Sequence, residues 1–192
     1  YEERKNWSSL WIVDPIDGTK EFIKKNGEFT VNIALVRDQK PVLGVIYVPA
    51  LQELYYASEE AGSYKVDNVV DFDGMESLEA SAVKLPKKNK NKSFTVVASK
   101  SHLSEETKDY IEKLKDGHGK VESISKGSSL KLCMVAEGKA DEYPRFAPTM
   151  EWDTAAGQAI CTFAGKTVYD HNTGKEMLYN RENLLNNWFL VK

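Results

Sequence analysis

The chain has 192 residues, a formal net charge of −3 and 41% hydrophobic residues, which is typical of a folded globular protein and excludes disorder along its whole length. Because it is mildly acidic and has no large basic block, it is not expected to bind a nucleic-acid duplex by neutralising phosphates. Its uncharged stretches are shorter than the ~20 apolar residues of a membrane span, so we expect no transmembrane segment.

The first third of the chain has the pattern of an antiparallel sheet. Residues 10–13 form an apolar run that is expected to stop at Asp14-Pro15, where the fixed φ of proline ends regular pairing. Residues 28–36 alternate and predict a half-buried strand. A short polar turn at 38–40 and further β-rich runs follow, at 42–48, 53–57 and 61–66.

Residues 84–92 contain five lysines, and we interpret them as an exposed connector, with a binding patch as the alternative. After this segment strand and helix patterns alternate, with Ser104 as a helix cap and Gly138 and Gly165 as helix ends. The predicted fold class is therefore α/β. It comprises a sheet subdomain at 1–83, the connector at 84–92 and an α/β subdomain at 93–192.

The cysteines indicate the cellular compartment in which the protein is found. Both cysteines, Cys133 and Cys161, lie in apolar helical segments, which predicts buried free thiols in a reducing compartment rather than a disulfide. We expect a cytoplasmic protein, with peripheral association at the inner membrane as the alternative.

The chain has four tryptophans, namely Trp7, Trp11, Trp152 and Trp188. They are expected to fill the core or interfaces rather than to stack on a base.

The most informative segment places two carboxylates where the first strand is expected to break, at Asp14-Pro15-Ile16-Asp17-Gly18-Thr19. Pro15 favours extended backbone at the preceding residue and Gly18 permits a turn, so both carboxylates and the Ile16 carbonyl can converge. Oxygen ligands of this kind suit Mg²⁺. The competing interpretation is an ordinary pair of Asp-Pro and Asp-Gly turns.

Two helix starts add to this motif. Gly18 and Thr19 are expected to begin a short helix whose free N–H groups face the carboxylates and can hold an anion. Downstream, Asp153 opens a helix and is followed by small residues, which allow a ligand or another backbone to approach closely. As a plain structural feature, Asp153 would be the helix N-cap, and both roles can coexist.

These two motifs, Asp14-Pro15-Ile16-Asp17-Gly18-Thr19 and Trp152-Asp153-Thr154-Ala155-Ala156-Gly157, resemble the paired signature of the inositol monophosphatase superfamily of Mg²⁺-dependent, Li⁺-sensitive phosphatases. Within it, three segments are similar to the 3'(2'),5'-bisphosphate nucleotidase branch, namely Asp17-Gly18-Thr19-Lys20-Glu21-Phe22, Gly127-Ser128-Ser129-Leu130-Lys131 and Tyr143-Pro144-Arg145-Phe146. The resemblance runs from Trp7 to the end of the chain. It implies an α+β layered sandwich like that of inositol monophosphatase and fructose-1,6-bisphosphatase, with the site between the two halves.

The resemblance also implies roles for individual residues. Asp14, Asp17 and Asp153 would ligate the metal together with the Ile16 carbonyl. Backbone N–H groups of Gly18 and Thr19 would hold the scissile phosphate, and the Thr19 hydroxyl would help to orient the attacking water. A metal-activated water needs no covalent nucleophile, which agrees with a motif centred on carboxylates.

One part of the family pattern is absent from these 192 residues. The family's metal site also takes a glutamate from a helical region upstream of the first aspartate motif. Glu2 and Glu3 are the candidate substitutes, with solvent exposure as the competing interpretation. We expect a natural chain that continues upstream and supplies this glutamate.

A substrate with a second phosphate needs cations beyond the metal. Ser129 and Lys131 lie where a helix is expected to begin and are candidates for anion binding, whereas a surface lysine would merely be solvated. Arg145 is a candidate for bidentate phosphate contact, with a surface ion pair as its equal rival. Ser101 and His102 follow a strand end and are candidates for contact with ribose or base, whereas a lone histidine often only packs.

The sequence thus predicts a phosphoric monoester hydrolase that uses Mg²⁺ to convert adenosine 3',5'-bisphosphate to AMP and phosphate. One alternative is the same chemistry on an inositol phosphate or sugar phosphate. Another is a non-catalytic nucleotide-binding fragment. The expected partner is the small-molecule nucleotide, and the expected assembly is a monomer or a homodimer.

Overall fold

The computed structural model describes residues 1–87, 93–99 and 104–192. Within these ranges the elements are, in chain order, β1 (Ser9–Asp17), α1 (Thr19–Ile23), β2 (Thr30–Arg37), β3 (Lys40–Val48), β4 (Glu53–Ser58), β5 (Gly62–Val66), α2 (Met75–Ala80), β6 (Val83–Lys84), β7 (Phe94–Ser99), α3 (Glu105–His118), β8 (Val121–Lys126), α4 (Leu130–Glu137), β9 (Tyr143–Arg145), α5 (Glu151–Phe163), β10 (Val168–Asp170) and β11 (Phe189–Val191). No helix in the described ranges is long and apolar enough to cross a membrane.

The first six strands form one antiparallel sheet in sequential order, as the alternating pattern predicted. The turn between β2 and β3 places Asp38 and Gln39 at φ 48° and 66°. Positive φ at both central residues gives a tight turn the twist that matches the flanking strands. The short polar turn predicted at 38–40 therefore joins β2 and β3 as a hairpin.

The second part of the chain alternates strands and helices, which confirms the α/β prediction. β7 and β8 are parallel neighbours joined through α3, and β9, β10 and β11 form a separate three-stranded sheet. The Ser104 Oγ accepts a hydrogen bond from the Thr107 N–H at 3.3 Å, so Ser104 caps α3 as predicted.

One hydrophobic core joins the two parts. α5 packs on β2 and β3, and α4 packs against α5. The buried core takes residues from the first sheet and from both helices, among them Ala34, Ile46, Leu132 and Ile160. Lys84, at the start of the predicted connector, pairs with Tyr64 at the sheet edge, and residues 88–92 lie outside the described ranges. The division at 84–92 stays a prediction.

The prediction that the first strand stops at Asp14 is wrong. β1 continues through Pro15 to Asp17, with a register shift between the two aspartates. β1 is an edge strand of the sheet, where a proline needs no ladder partner on its outer side. The shift matters for the site because it lets both aspartates turn toward α5 from one strand.

The buried face of β2 is the less apolar one. Thr30, Asn32 and Ala34 are fully buried, whereas the alternate residues Val31 and Ile33 are only half-buried. α5 covers the first face, and small side chains there allow the helix to approach. A buried threonine and asparagine therefore lie beneath the end of β1.

Burial confirms that both cysteines are buried free thiols and shows that two of the four tryptophans lie outside the core. Cys133 and Cys161 are buried free thiols, and burial raises the pKa of Cys161 to about 12. Trp7 and Trp11 are 54% and 60% exposed, so they do not fill the core of this chain, and the alternative that they lie in interfaces stays a prediction. Trp11 lies on the face of the sheet that α5 does not cover. On this face the apolar side chains of β1, such as Trp11 and Val13, are exposed to solvent.

Gly44 allows β3 to touch α5. A Cβ atom at this position would lie 2.4 Å from the Ala156 carbonyl oxygen and 2.8 Å from the Ala159 Cβ. Small residues around Asp153 were expected to permit such an approach, and the approaching backbone is β3. We predict that Gly44→Ala destabilises the protein by about 1–3 kcal/mol, because strand and helix must separate.

Urea denaturation measures this change. Gly117→Ala is the matched control, because a Cβ at this α3 position meets no atom within 4 Å. In a helix that replacement is expected to stabilise by up to about 1 kcal/mol. Equal unfolding midpoints for the two variants would contradict tight packing of β3 on α5.

Candidate active site

Three aspartates meet where β1 ends and α5 begins. Asp14 and Asp17 come from β1, and Asp153 comes from the first turn of α5. Each offers one carboxylate oxygen, and these three oxygens lie within 4.8 Å of one another. The fold therefore brings together the two aspartate motifs, which lie 136 positions apart in the sequence between Asp17 and Asp153.

Hydrogen bonds hold one oxygen of each carboxylate. Asp14 Oδ1 accepts from the Ile16 N–H at 3.0 Å, and Asp153 Oδ2 accepts from the Met150 N–H at 2.7 Å. Asp17 Oδ2 accepts from the Ser129 hydroxyl at 2.7 Å. Among the described residues no hydrogen bond reaches the second oxygen of any of the three. That second oxygen is available to a cation.

Asp153 differs slightly from its predicted place in the helix. α5 begins at Glu151, so Asp153 is the third helical residue rather than the N-cap. Its carboxylate still caps the helix by accepting the N–H of Met150. Residues at the third position often reach back in this way.

The electrostatics of the cluster favour a cation. Burial raises the pKa of Asp153 to about 6, and the charges of Asp17 and Asp14 add to the rise. Burial, and then the charge of Asp17, also raise the pKa of Asp14, although the Ile16 N–H opposes this. Three neighbouring carboxylates resist ionisation together, and a divalent ion among them would reverse that preference. The donor set fits Mg²⁺, which prefers carboxylate oxygens.

A pocket of about 250 Å³ opens beside the carboxylates. Seven of the predicted site residues line it, namely Asp17, Gly18, Thr19, Ser129, Lys131, Arg145 and Asp153. Asp14 adjoins it through the carboxylate cluster. Ser101 and His102 lie outside the described residues. The roles assigned to all of these residues, and to the Ile16 carbonyl, stay predictions.

Two loops face each other across this pocket. Gly18 has φ 85° and precedes α1, which begins at Thr19 as the sequence predicted. A Cβ on Gly18 would lie 3.1 Å from the Ser128 Cβ, and Ser128 itself has φ 42°. Glycine at position 18 thus combines a left-handed conformation with close contact to the opposite loop.

Lys131 is buried rather than solvated, so the interpretation as a surface lysine is wrong. Its Nζ donates to the carbonyl oxygens of Ser128 at 2.5 Å and Lys126 at 3.4 Å, and it lies 5.5 Å from the centre of the Tyr143 ring. Burial lowers its pKa to about 8. The ammonium group orders the loop that precedes α4 while it lines the pocket.

Arg145 is also buried, and the interpretation as a surface ion pair is wrong. Its Nη2 donates to the Pro148 carbonyl at 3.0 Å. Its Nε is buried and has no partner among the described residues, and no ion pair of Arg145 occurs there. A buried guanidinium with remaining donors is well suited to a phosphate group.

Two polar residues beneath Asp17 were not predicted from the sequence as part of the site. Thr30 Oγ1 and Asn32 Nδ2 each lie 3.4 Å from Asp17 Oδ2. Thr30 and Asn32 alternate with apolar residues along β2, and this pattern suggests that the two polar side chains face solvent rather than the site. The candidate substitute Glu2 instead pairs with Lys5 and is 82% exposed. Among the described residues, the group of carboxylates that could hold a metal ion consists of Asp14, Asp17 and Asp153.

Comparison with known proteins agrees with this geometry. The model of the inositol monophosphatase family matches residues 2–190. The 3'(2'),5'-bisphosphate nucleotidase CysQ of Salmonella typhimurium is 46% identical over 192 residues, which are all of this chain and 71% of that protein. The protein of the same name from Escherichia coli K12 is 45% identical over the same shares of both chains.

Solved structures agree as well. The crystal structure of CysQ from Bacteroides thetaiotaomicron superimposes with a TM-score of 0.94 at 55% identity, over 100% of this chain and 72% of that one. A staphylococcal IMPase-II superimposes with a TM-score of 0.71 at 22% identity, over 96% and 66%, and shows the shared fold. The predicted layered α+β fold is confirmed, and the chain belongs to the inositol monophosphatase family.

Proposed function

We propose that this chain hydrolyses the 3'-phosphate of adenosine 3',5'-bisphosphate and releases AMP and phosphate. The observation that carries the proposal is the carboxylate cluster on the wall of a pocket that also contains Lys131 and Arg145. The relatives named 3'(2'),5'-bisphosphate nucleotidase support the choice of substrate. The chain is a phosphatase of a Mg²⁺-dependent family.

Asp14, Asp17 and Asp153 would hold the Mg²⁺ on which the family depends. When bound, the ion lowers the pKa of a water molecule and neutralises charge on the phosphate and the leaving oxygen. The backbone N–H groups of Gly18 and Thr19 would bind the phosphate that is removed. The Thr19 hydroxyl would orient the attacking water.

The pocket supports hydrolysis without a covalent intermediate. The described residues that line it include no cysteine and no histidine. Among the described residues, no hydrogen bond joins its serines to a histidine that could remove their protons. Phosphoryl transfer depends mainly on positioning and charge neutralisation, which carboxylates and cations supply.

The second phosphate of the substrate explains the two buried cations. Lys131 and Arg145 line the same pocket as the aspartates and would balance the phosphate that stays on the product. A monophosphate such as inositol 1-phosphate would leave one of these cations without a phosphate partner. Leaving a buried charge unpaired is costly, so the pocket favours a bisphosphate. The cytoplasmic location and the assembly stay predictions.

A substrate panel tests the proposal. Phosphate release is measured with Mg²⁺ from adenosine 3',5'-bisphosphate, inositol 1-phosphate and fructose 1,6-bisphosphate, each with and without Li⁺. We expect the nucleotide to be hydrolysed most efficiently and Li⁺ to inhibit. Preference for a sugar phosphate would support the sugar-phosphatase alternative, and nucleotide binding without release would support the binding module.

Arg145→Met is expected to separate the substrates. Loss of hydrogen bonds from a charged group costs about 1.5–3 kcal/mol, so KM for adenosine 3',5'-bisphosphate should rise about 10- to 100-fold. KM for inositol 1-phosphate should change much less. Steady-state kinetics measures both values, with Lys113→Met, an exposed position on α3, as the charge-matched control. Equal effects of Arg145→Met on both substrates would contradict a role in binding the second phosphate.

A further inference from the structure

We propose that Ser129 is a positioning residue of the metal centre. Its hydroxyl group, held by Asn32, orients the Asp17 carboxylate so that one oxygen faces the cation. This inference rests on the proposed metal-dependent function. It gives the Ser129 hydroxyl a task other than the substrate contact that the sequence suggested. Nothing in the motif Gly127-Ser128-Ser129 separates the two serines, and their surroundings in the fold do.

The Ser129 hydroxyl lies at the junction of three segments. Its Oγ is 2.7 Å from Asp17 Oδ2 at the end of β1 and 2.9 Å from the Asp153 carbonyl oxygen in α5. Asn32 Nδ2, from β2, donates to the same Oγ at 2.9 Å. One hydroxyl group therefore lies within hydrogen-bond distance of the Asp17 side chain and of the Asp153 backbone, and both residues belong to the carboxylate cluster.

The hydrogen-bonding capacity of the hydroxyl decides where its proton goes. The Asn32 amide occupies a lone pair of Oγ, because an N–H group can only donate. The single hydroxyl proton then has two acceptors, Asp17 Oδ2 and the Asp153 carbonyl. The carboxylate is the nearer acceptor and is charged, and charge-assisted hydrogen bonds are the stronger ones. The Ser129 proton therefore goes to Asp17, while the Asn32 amide holds the hydroxyl oxygen in place.

Burial makes this arrangement rigid. Ser129 and Asn32 are 2% and 1% exposed, so neither exchanges its partner for bulk water. The bond fixes Oδ2 of Asp17, and the other oxygen is the one without a hydrogen bond from the described residues. Groups that orient metal ligands in this manner commonly contribute 10- to 100-fold to metal affinity.

The neighbouring Ser128 provides a matched control. It lines the same pocket, and its Oγ is buried with no hydrogen-bond partner among the described residues. Ser→Ala at the two positions removes the same atom from adjacent residues. Only position 129 loses a bond to a carboxylate of the cluster.

Titration of the protein with Mg²⁺ by calorimetry tests the inference. We expect Ser129→Ala to raise the Kd for Mg²⁺ by about 10- to 100-fold and Ser128→Ala to change it less than about 3-fold. Ser129→Thr keeps a hydroxyl and should restore most of the affinity. Asn32→Ala, which removes the donor that orients the hydroxyl, should weaken binding in the same direction.

Thermal unfolding in EDTA separates positioning from general stability. A positioning role predicts variants that are folded without metal and bind Mg²⁺ weakly. If wild type binds Mg²⁺ and Ser129→Ala binds as tightly as Ser128→Ala, the inference is overturned while the metal centre stands. If Ser129→Ala does not fold, unchanged affinity in Asn32→Ala overturns it. Wild type that binds no Mg²⁺ overturns the metal centre and the inference together.

Discussion

Asp17→Asn is expected to lower phosphate release from adenosine 3',5'-bisphosphate by about 100- to 1000-fold, because stabilisation of charge by a metal is worth several kcal/mol in the transition state. Of the two aspartates that β1 contributes to the carboxylate cluster, Asp17 is the one that lines the pocket. The amide keeps the size of the side chain and an oxygen that can accept from Ser129. It removes the negative charge that the cation requires.

The stability of Asp17→Asn provides the control for this prediction. In EDTA the variant should unfold at or above the temperature of wild type, since one of three neighbouring negative charges is gone. Addition of Mg²⁺ should raise the unfolding temperature of wild type and have little effect on the variant. A variant that keeps more than a tenth of the wild-type rate would show that Asp17 does not hold the catalytic metal.

Glu151→Ala is expected to destabilise the protein by about 3–5 kcal/mol. Glu151 is 2% exposed and is the first residue of α5, two positions before Asp153. One of its oxygens accepts from the Asn180 N–H at 2.9 Å, and the other accepts from the Arg181 N–H at 3.0 Å and its Nε at 3.1 Å. Removal of the carboxylate leaves the buried Asn180 N–H and the part-buried donors of Arg181 without this acceptor and frees the start of the helix that carries Asp153.

Urea denaturation measures the loss, and Glu112→Ala is the control. Glu112 pairs with Lys115 on the surface of α3 and is 67% exposed, so its loss should cost less than about 1 kcal/mol. Glu151→Ala should also weaken Mg²⁺ binding, because Asp153 follows in the same helical turn. Similar midpoints for the two variants would mean that Glu151 does not anchor α5.

Most of the fold could be predicted because its signals are local. Alternation along β2 and the polar turn at Asp38 and Gln39 are signals of a hairpin that can be recognised from neighbouring residues. The Ser104 cap of α3 is equally local. The two aspartate motifs likewise predict a metal site from local signals, since Asp14 and Asp17 are only three positions apart.

The features that escaped prediction depend on tertiary contacts. Pro15 lies within a strand because β1 is at the sheet edge, and the sequence does not show which strand that is. The polar side of β2 is the buried side because α5 lies against it. The bond between Ser129 and Asp17 joins residues 112 positions apart, so only the folded chain reveals it.

Diffraction from crystals grown with Mn²⁺ in place of Mg²⁺ and with AMP and phosphate would test the central claim most directly, because the anomalous signal of manganese locates the ion. We predict a peak between Asp14, Asp17 and Asp153, with carboxylate oxygens about 2 Å away. Phosphate density should lie between that peak and the N–H groups of Gly18 and Thr19. A manganese peak away from the three aspartates, or phosphate bound elsewhere, would contradict the assignment of this pocket as the active site.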